Sequence, residues 1–118
     1  MIIHSGSPDE VSNLLLYARR KQILEGGLRP TLVLATDRSL NHMHLSQYHP
    51  MVIHCSRYPA FDLMDGAERI ISACGANIMR QTQAVAYKHD FKPFERAFDD
   101  QFLRAVFRRE DCVSALQV

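Results

Sequence analysis

The chain has 118 residues, 47% of them apolar, a net charge of +1 and three cysteines, a size and composition that suit one domain, residues 1–118, around one core. The charge balance excludes a global electrostatic drive toward nucleic acid or an anionic membrane, and no apolar run approaches the roughly 20 residues needed to span a bilayer. The start, MIIHSGSPDE, shows no leader pattern, and the widely spaced Cys55, Cys74 and Cys112 read as reduced thiols of an intracellular protein.

In chain order, Met1 to His4 reads as a short strand. Ser7-Pro8-Asp9-Glu10 then predicts a helix start: Ser7 caps, Pro8 suits the first helical position, and Glu10 stands where a capping box needs it. Val11, Leu14, Leu15 and Ala18 form that helix's buried stripe, and Gly26-Gly27 ends it. Thr31 to Thr36 and Met51 to Cys55 are continuous apolar runs of the kind buried on both faces of a parallel sheet. Leu32, Val33, Leu34, Val52 and Ile53 are therefore expected in adjacent strands at the centre of the sheet. Leu63, Met64, Ala67, Ile70 and Ile71 predict a helix between Pro59 and Gly75, Gln83 to Tyr87 a strand, and Phe94, Phe98, Phe102 and Ala105 a buried helical stripe after Pro93. Alternating strands and helices predict an α/β fold.

Three segments stand in an order that resembles the C-terminal RecA-like domain of DEAD-box RNA helicases. Ile2-Ile3-His4-Ser5-Gly6-Ser7 is similar to the opening strand of that domain. TLVLATDRSLNHMHL, Thr31 to Leu45, resembles its VLVATDxAARGLDI strand and loop, and MVIHCSRYP its VIxYDxP strand. Glu68-Arg69-Ile70 falls where the family carries HRxGRxGR. The resemblance covers residues 1 to 90 and implies a RecA-like (helicase C-terminal) parallel sheet flanked by helices, shortened between the first strand and LVLATD. It also implies lost chemistry. Asn41, His42 and His44 replace the arginine, glycine and aspartate of ARGLD. Arg69 survives, but Ser72 and Gly75 stand where the family's later arginines reach nucleotide phosphates. Phosphoryl transfer depends on positioned positive charge and metal, so the resemblance implies a noncatalytic domain with no cofactor and no metal.

Such decayed domains are similar to those of the Tudor-domain helicase-like proteins of the piRNA pathway, in particular the N-terminal helicase-C-like domain of the insect Yb proteins. That resemblance implies a scaffold: a homo-oligomer, most simply a dimer, in cytoplasmic perinuclear granules, with other piRNA-pathway proteins as partners through the rest of a longer chain. The interface is expected on the C-terminal helix at Phe102, Val106 and Phe107. A second reading makes RNA the partner, held without ATP by Ser5, Gly6, Thr36, Asp37 and Arg38. A third takes His4-Ser5-Gly6 with Gly26-Gly27-Leu28 as the strand openings of a small ADP-ribosyltransferase, with Glu68 the available carboxylate. His42, His44, His49, His54 and Cys55 lie close in sequence, but without a CxxC pair their spacing matches no closed zinc site. A loop followed by a buried strand accounts for them.

Overall fold

Ile2–His4 forms strand β1, a strand of three residues with a parallel neighbour on each side. The structure, a computed structural model, describes residues 1–27, 30–35, 52–55, 61–97 and 99–116. β2 (Thr31–Ala35), β3 (Val52–Cys55), β4 (Ile70–Ser72) and β5 (His89–Phe91) join β1 in a five-stranded sheet of order β3-β2-β1-β4-β5, and every pairing is parallel. Successive residues of a strand face opposite sides, so Ile2, paired with Val33 and Ile71, and Ile3, paired with Leu34 and Ser72, enter two different cores.

α1 (Pro8–Leu24) covers the first of these. Its Val11, Leu14, Leu15 and Ala18 pack on Ile2, Val33, Ala35 and Ile71. The other face is covered by α2 (Phe61–Gly66), α3 (Ala76–Gln81) and a 3₁₀ turn, Gln83–Lys88. Met64 of α2 is buried there with Ile3, Leu34 and Ile70, and Ile78 and Val85 pack against them. A two-stranded hairpin, β6 (Glu95–Arg96) and β7 (Asp99–Asp100), leads into the long helix α4 (Gln101–Leu116).

The ends of α1 follow from its sequence signals. Ser7 Oγ accepts from the Glu10 amide at 3.3 Å. The reciprocal arm of the box is replaced, because the Glu10 carboxylate turns to His4 and Arg96. At the other end Gly26 takes φ 106°, Gly26 N donates to Ile23 O and Gly27 N to Gln22 O. This satisfies the last carbonyls in the manner open to glycine.

Four expectations need correction. β2 and β3 are adjacent and parallel, but β1 holds the centre of the sheet and β3 stands at its edge. The helix expected up to Gly75 ends at Gly66, and Ile70 and Ile71 belong to β4. Gln83 to Tyr87 is a 3₁₀ turn, and the strand follows it at His89. The C-terminal helix begins at Gln101, not after Pro93. Phe94 lies ahead of it, half-buried against the α1 core; Phe102 is exposed, and Phe98 lies outside the described residues.

Truncation of Leu34, which is fully buried between β1 and β3, is expected to cost about 2–5 kcal/mol. Leu16→Ala, on the exposed side of α1, should change stability by less than about 0.5 kcal/mol. Urea denaturation of the two variants checks both values; equal effects would contradict this assignment of the core.

Candidate functional site

The strand order reverses at β1: α1 leaves β1 toward β2 on one face, and α3 leaves β4 toward β5 on the other. In doubly wound sheets ligands bind outside the carboxyl ends of the strands at such a switch point. Here the chain's own residues cross that point. After β5, Lys92 Nζ donates to Asn13 Oδ1 of α1, and the Phe94 ring lies 5.8 Å from the His4 ring. Arg96 donates to both oxygens of Glu10, at 2.5 and 2.6 Å, and His4 Nε2 lies 2.9 Å from the same carboxylate. Gln101 Oε1 accepts from the amides of Cys74 and Phe94, each at 3.0 Å.

This cluster is electrostatically complete. Burial pushes the Glu10 carboxyl up, but the hydrogen bonds from Arg96 and His4 outweigh it and hold Glu10 below its ordinary range. The bond to Glu10 raises Arg96 further. Burial holds His4 below its usual value against the pull of Glu10. A side chain at Gly6 would collide with the Glu10 carboxylate and the His4 ring and displace their contact, so glycine here leaves room for the pair.

Of the residues expected to hold RNA, Ser5 and Gly6 lie at this carboxyl edge, while Thr36, Asp37 and Arg38 lie outside the described residues, as do Asn41, His42, His44 and His49. Arg69, Ser72 and Gly75 do not converge. Arg69 precedes β4 at the amino edge, 3.0 Å from Glu25 and 3.8 Å from Asp90. Ser72 is fully buried within β4, and Gly75 is the N-cap of α3. Glu68 lies in the turn before β4 rather than in a helix, at the edge opposite to His4-Ser5-Gly6. It lines an open cavity of about 950 Å³ floored by Ala18, Leu32, Leu63 and Ile71. The cations on this cavity are already engaged: Lys21 lies 3.9 Å from Asp90, and Lys88 Nζ donates to the carbonyls of Met64, Asp65 and Ala67.

Ser72 and His89 resemble a nucleophile and its base, since Ser72 Oγ lies 2.7 Å from His89 Nε2. The protonation pattern argues otherwise. Arg108 NH1 lies 3.1 Å from His89 Nδ1, and a guanidinium only donates. Nδ1 must therefore be the acceptor and Nε2 the protonated nitrogen, donating to Ser72, whose hydroxyl donates in turn to Ala73 O at 2.7 Å. His89 has no lone pair left for the serine proton. Cys74 is equally unsuited to nucleophilic work, because burial raises its thiol to about 11 despite Arg109, Arg108 and Arg104 nearby.

α4 has its polar side turned inward. Gln101, Ala105 and Arg108 are buried, whereas Phe102, Leu103, Val106 and Phe107 are 52%, 48%, 43% and 54% exposed. Their spacing places these four side chains along one outward face. The three residues expected at an interface thus stand together. Leu103 belongs with them, and its position three residues before Val106 was the signal for it.

Comparison with family models, with curated proteins and with solved structures finds no significant match. Fold and site together define an α/β domain with a parallel sheet flanked by helices, and no helix among the described residues is long and apolar enough to cross a membrane.

Two outcomes follow from the geometry. Arg96→Met should cost about 1–2 kcal/mol at pH 7. Because Glu10 titrates below its ordinary range when folded, the stability it contributes is present above that range and lost as pH falls from there through the lower folded-state value. The cost of Arg96→Met should therefore shrink in acid, which denaturation curves at neutral and acid pH measure. Ser72→Arg, the substitution suggested by the family's motif, would force a cation into the core beside His89 and Arg108 and should unfold the domain. Retained far-ultraviolet dichroism and a cooperative melt would contradict this.

Proposed function

We propose that the chain is a noncatalytic, helicase-C-like interaction domain that self-associates through the outward face of α4. One observation carries this reading: four large apolar side chains, Phe102, Leu103, Val106 and Phe107, are each about half exposed on one helix face. They leave on the order of 350 Å² of apolar surface uncovered, a size at which patches on monomers are often functional. The net charge of +1 offers no long-range repulsion between copies. A two-fold pair using the same patch on both subunits is the simplest closed arrangement. The area is small for a stable complex, so weak pairing that gains strength from multiplicity is expected.

The RecA-like assignment rests on the order of the sequence motifs, with TLVLA as β2 beside VIHC as β3 in a parallel sheet. The noncatalytic part is supported by the internal Glu10–Arg96 pair across the switch point and by a buried serine, Ser72, at a position where the family needs an arginine. A scaffold in perinuclear piRNA granules is the setting that the family resemblance implies.

Sedimentation or light scattering across concentration tests the proposal. The apparent mass should rise toward a dimer, and Val106→Glu or Phe107→Glu should hold it at the monomer with an unchanged melting curve. A wild-type chain that stays monomeric to about 1 mM, where a contact worth about 4 kcal/mol would register, would overturn self-association. RNA would then become the leading partner, recognised by a steep fall of affinity with salt.

A further inference from the structure

The inward side of α4 is unusual in what it uses to hold on. Among its described side chains Ala105 is the buried apolar contact, whereas α1 buries four. The other attachments are polar. Arg104 NH1 donates to Cys74 O at 3.1 Å, Gln101 accepts from two amides, and Arg108 reaches deepest. Arg108 is 5% exposed, and its hydrogen-bond partners among the described residues are all neutral: His89 Nδ1 at 3.1 Å, Thr82 Oγ1 at 3.4 Å and the Met79 carbonyl. A buried guanidinium with no carboxylate partner among the described residues depends on each of those acceptors.

His89 can serve as an acceptor in one protonation state only. It is neutral, with Nδ1 toward Arg108 and the Nε2 proton toward Ser72. A second proton would turn Nδ1 into a donor and set two cations against each other in a buried site. We propose that this contact is a proton-sensitive latch: α4 stays docked on the sheet while His89 is neutral and is released, with the rest of the domain still folded, when His89 is protonated.

The groups facing His89 from each packed element are consistent with this. Ser72 comes from β4, the Phe91 ring from β5 at 5.5 Å and Arg108 from α4, and Arg108 is itself held by Thr82 and Met79 at the end of α3. Arg104 and Arg109 add further positive charge around neighbouring Cys74. Burial first, and then Arg108, lower the His89 pKa to about 4. A folded-state value below the ordinary 6.5 means that docking is favoured above pH 6.5 and loses that contribution as pH falls from there toward about 4. Release of α4 removes Arg108 and part of the burial while β4 and β5 stay in place, so at pH 4.5 the docking equilibrium should have weakened on the order of tenfold, and by no more than about 100-fold. Release should be local, because elements with few buried apolar contacts open at lower free energy than the core.

Hydrogen exchange of the full chain, read by mass spectrometry at pH 7 and pH 4.5 and corrected for intrinsic rates, tests this independently of whether the outer face of α4 pairs. The expected result is a loss of protection on the order of tenfold or more over residues 101–111 at pH 4.5 while α1 keeps its protection. His89→Gln, which retains a donor and an acceptor without a titratable proton, should abolish the difference. Unchanged protection of α4 at pH 4.5, or loss in step with α1, would overturn the proposal from wild-type data alone, whether or not the variant folds.

Discussion

The domain hangs on two isoleucines in a strand of three residues. Ile2 and Ile3 point to opposite faces of the sheet, so neither can be buried unless helices cover both sides. β1 also has a parallel neighbour on each edge. With β1 at the centre the strand order reverses there, and the crevice that such a reversal opens falls at the carboxyl end of β1. The loop that starts α1 leaves from that point. The close approach of Gly6 to His4 and Glu10, the Glu10–Arg96 pair and the crossing of Lys92 to Gln101 are all consequences of where β1 sits.

That crossing decides how the C-terminal helix lies. Gln101, the first residue of α4, is fixed by the Cys74 amide at the end of β4, and seven residues later Arg108 meets His89 at the start of β5. With these two polar anchors on the inner face, the four large apolar residues between them are turned outward. Burying Phe102 and Phe107 instead would turn Arg108 out to solvent and, since both rings are already about half buried, would gain about half of the roughly 1.5–3 kcal/mol that full burial of such a side chain contributes. The observed orientation gives up that gain and keeps a buried arginine satisfied. A helix so arranged is better explained by what it presents than by what it covers.

The first half of this architecture was legible in the sequence. Ser7-Pro8 and Gly26-Gly27 punctuate α1, and continuous apolar runs give β2 and β3, because these signals are local. β4 was missed because a three-residue buried strand has no period of its own, while Leu63, Met64, Ala67, Ile70 and Ile71 fit a helical one until Gly66 interrupts it. The early start given to the C-terminal helix has a similar cause. Phe94, Phe98 and Phe102 recur at helical spacing, and Pro93 resembles a first helical residue, but a short hairpin intervenes. Periodicity joined Phe94, Phe98, Phe102 and Ala105 into one buried stripe, whereas in α4 Ala105 faces inward and Phe102 outward. That choice rests on Arg108 with His89, 19 positions away, and on Gln101 with Cys74, 27 away. The pair across the switch point, Glu10 with Arg96, is separated by 86 positions. No local pattern encodes contacts of that range.

α4 lies polar side inward, and on the function proposed above its apolar side pairs with another copy. Solvent paramagnetic relaxation of side-chain protons, recorded by nuclear magnetic resonance in a dilution series, tests it most directly. At the lowest concentration Phe102, Leu103, Val106 and Phe107 should relax strongly while the Ala105 methyl does not, and the enhancement of those four should fall as concentration rises. Four side chains already protected in the most dilute sample, or equally exposed at every concentration, would contradict it.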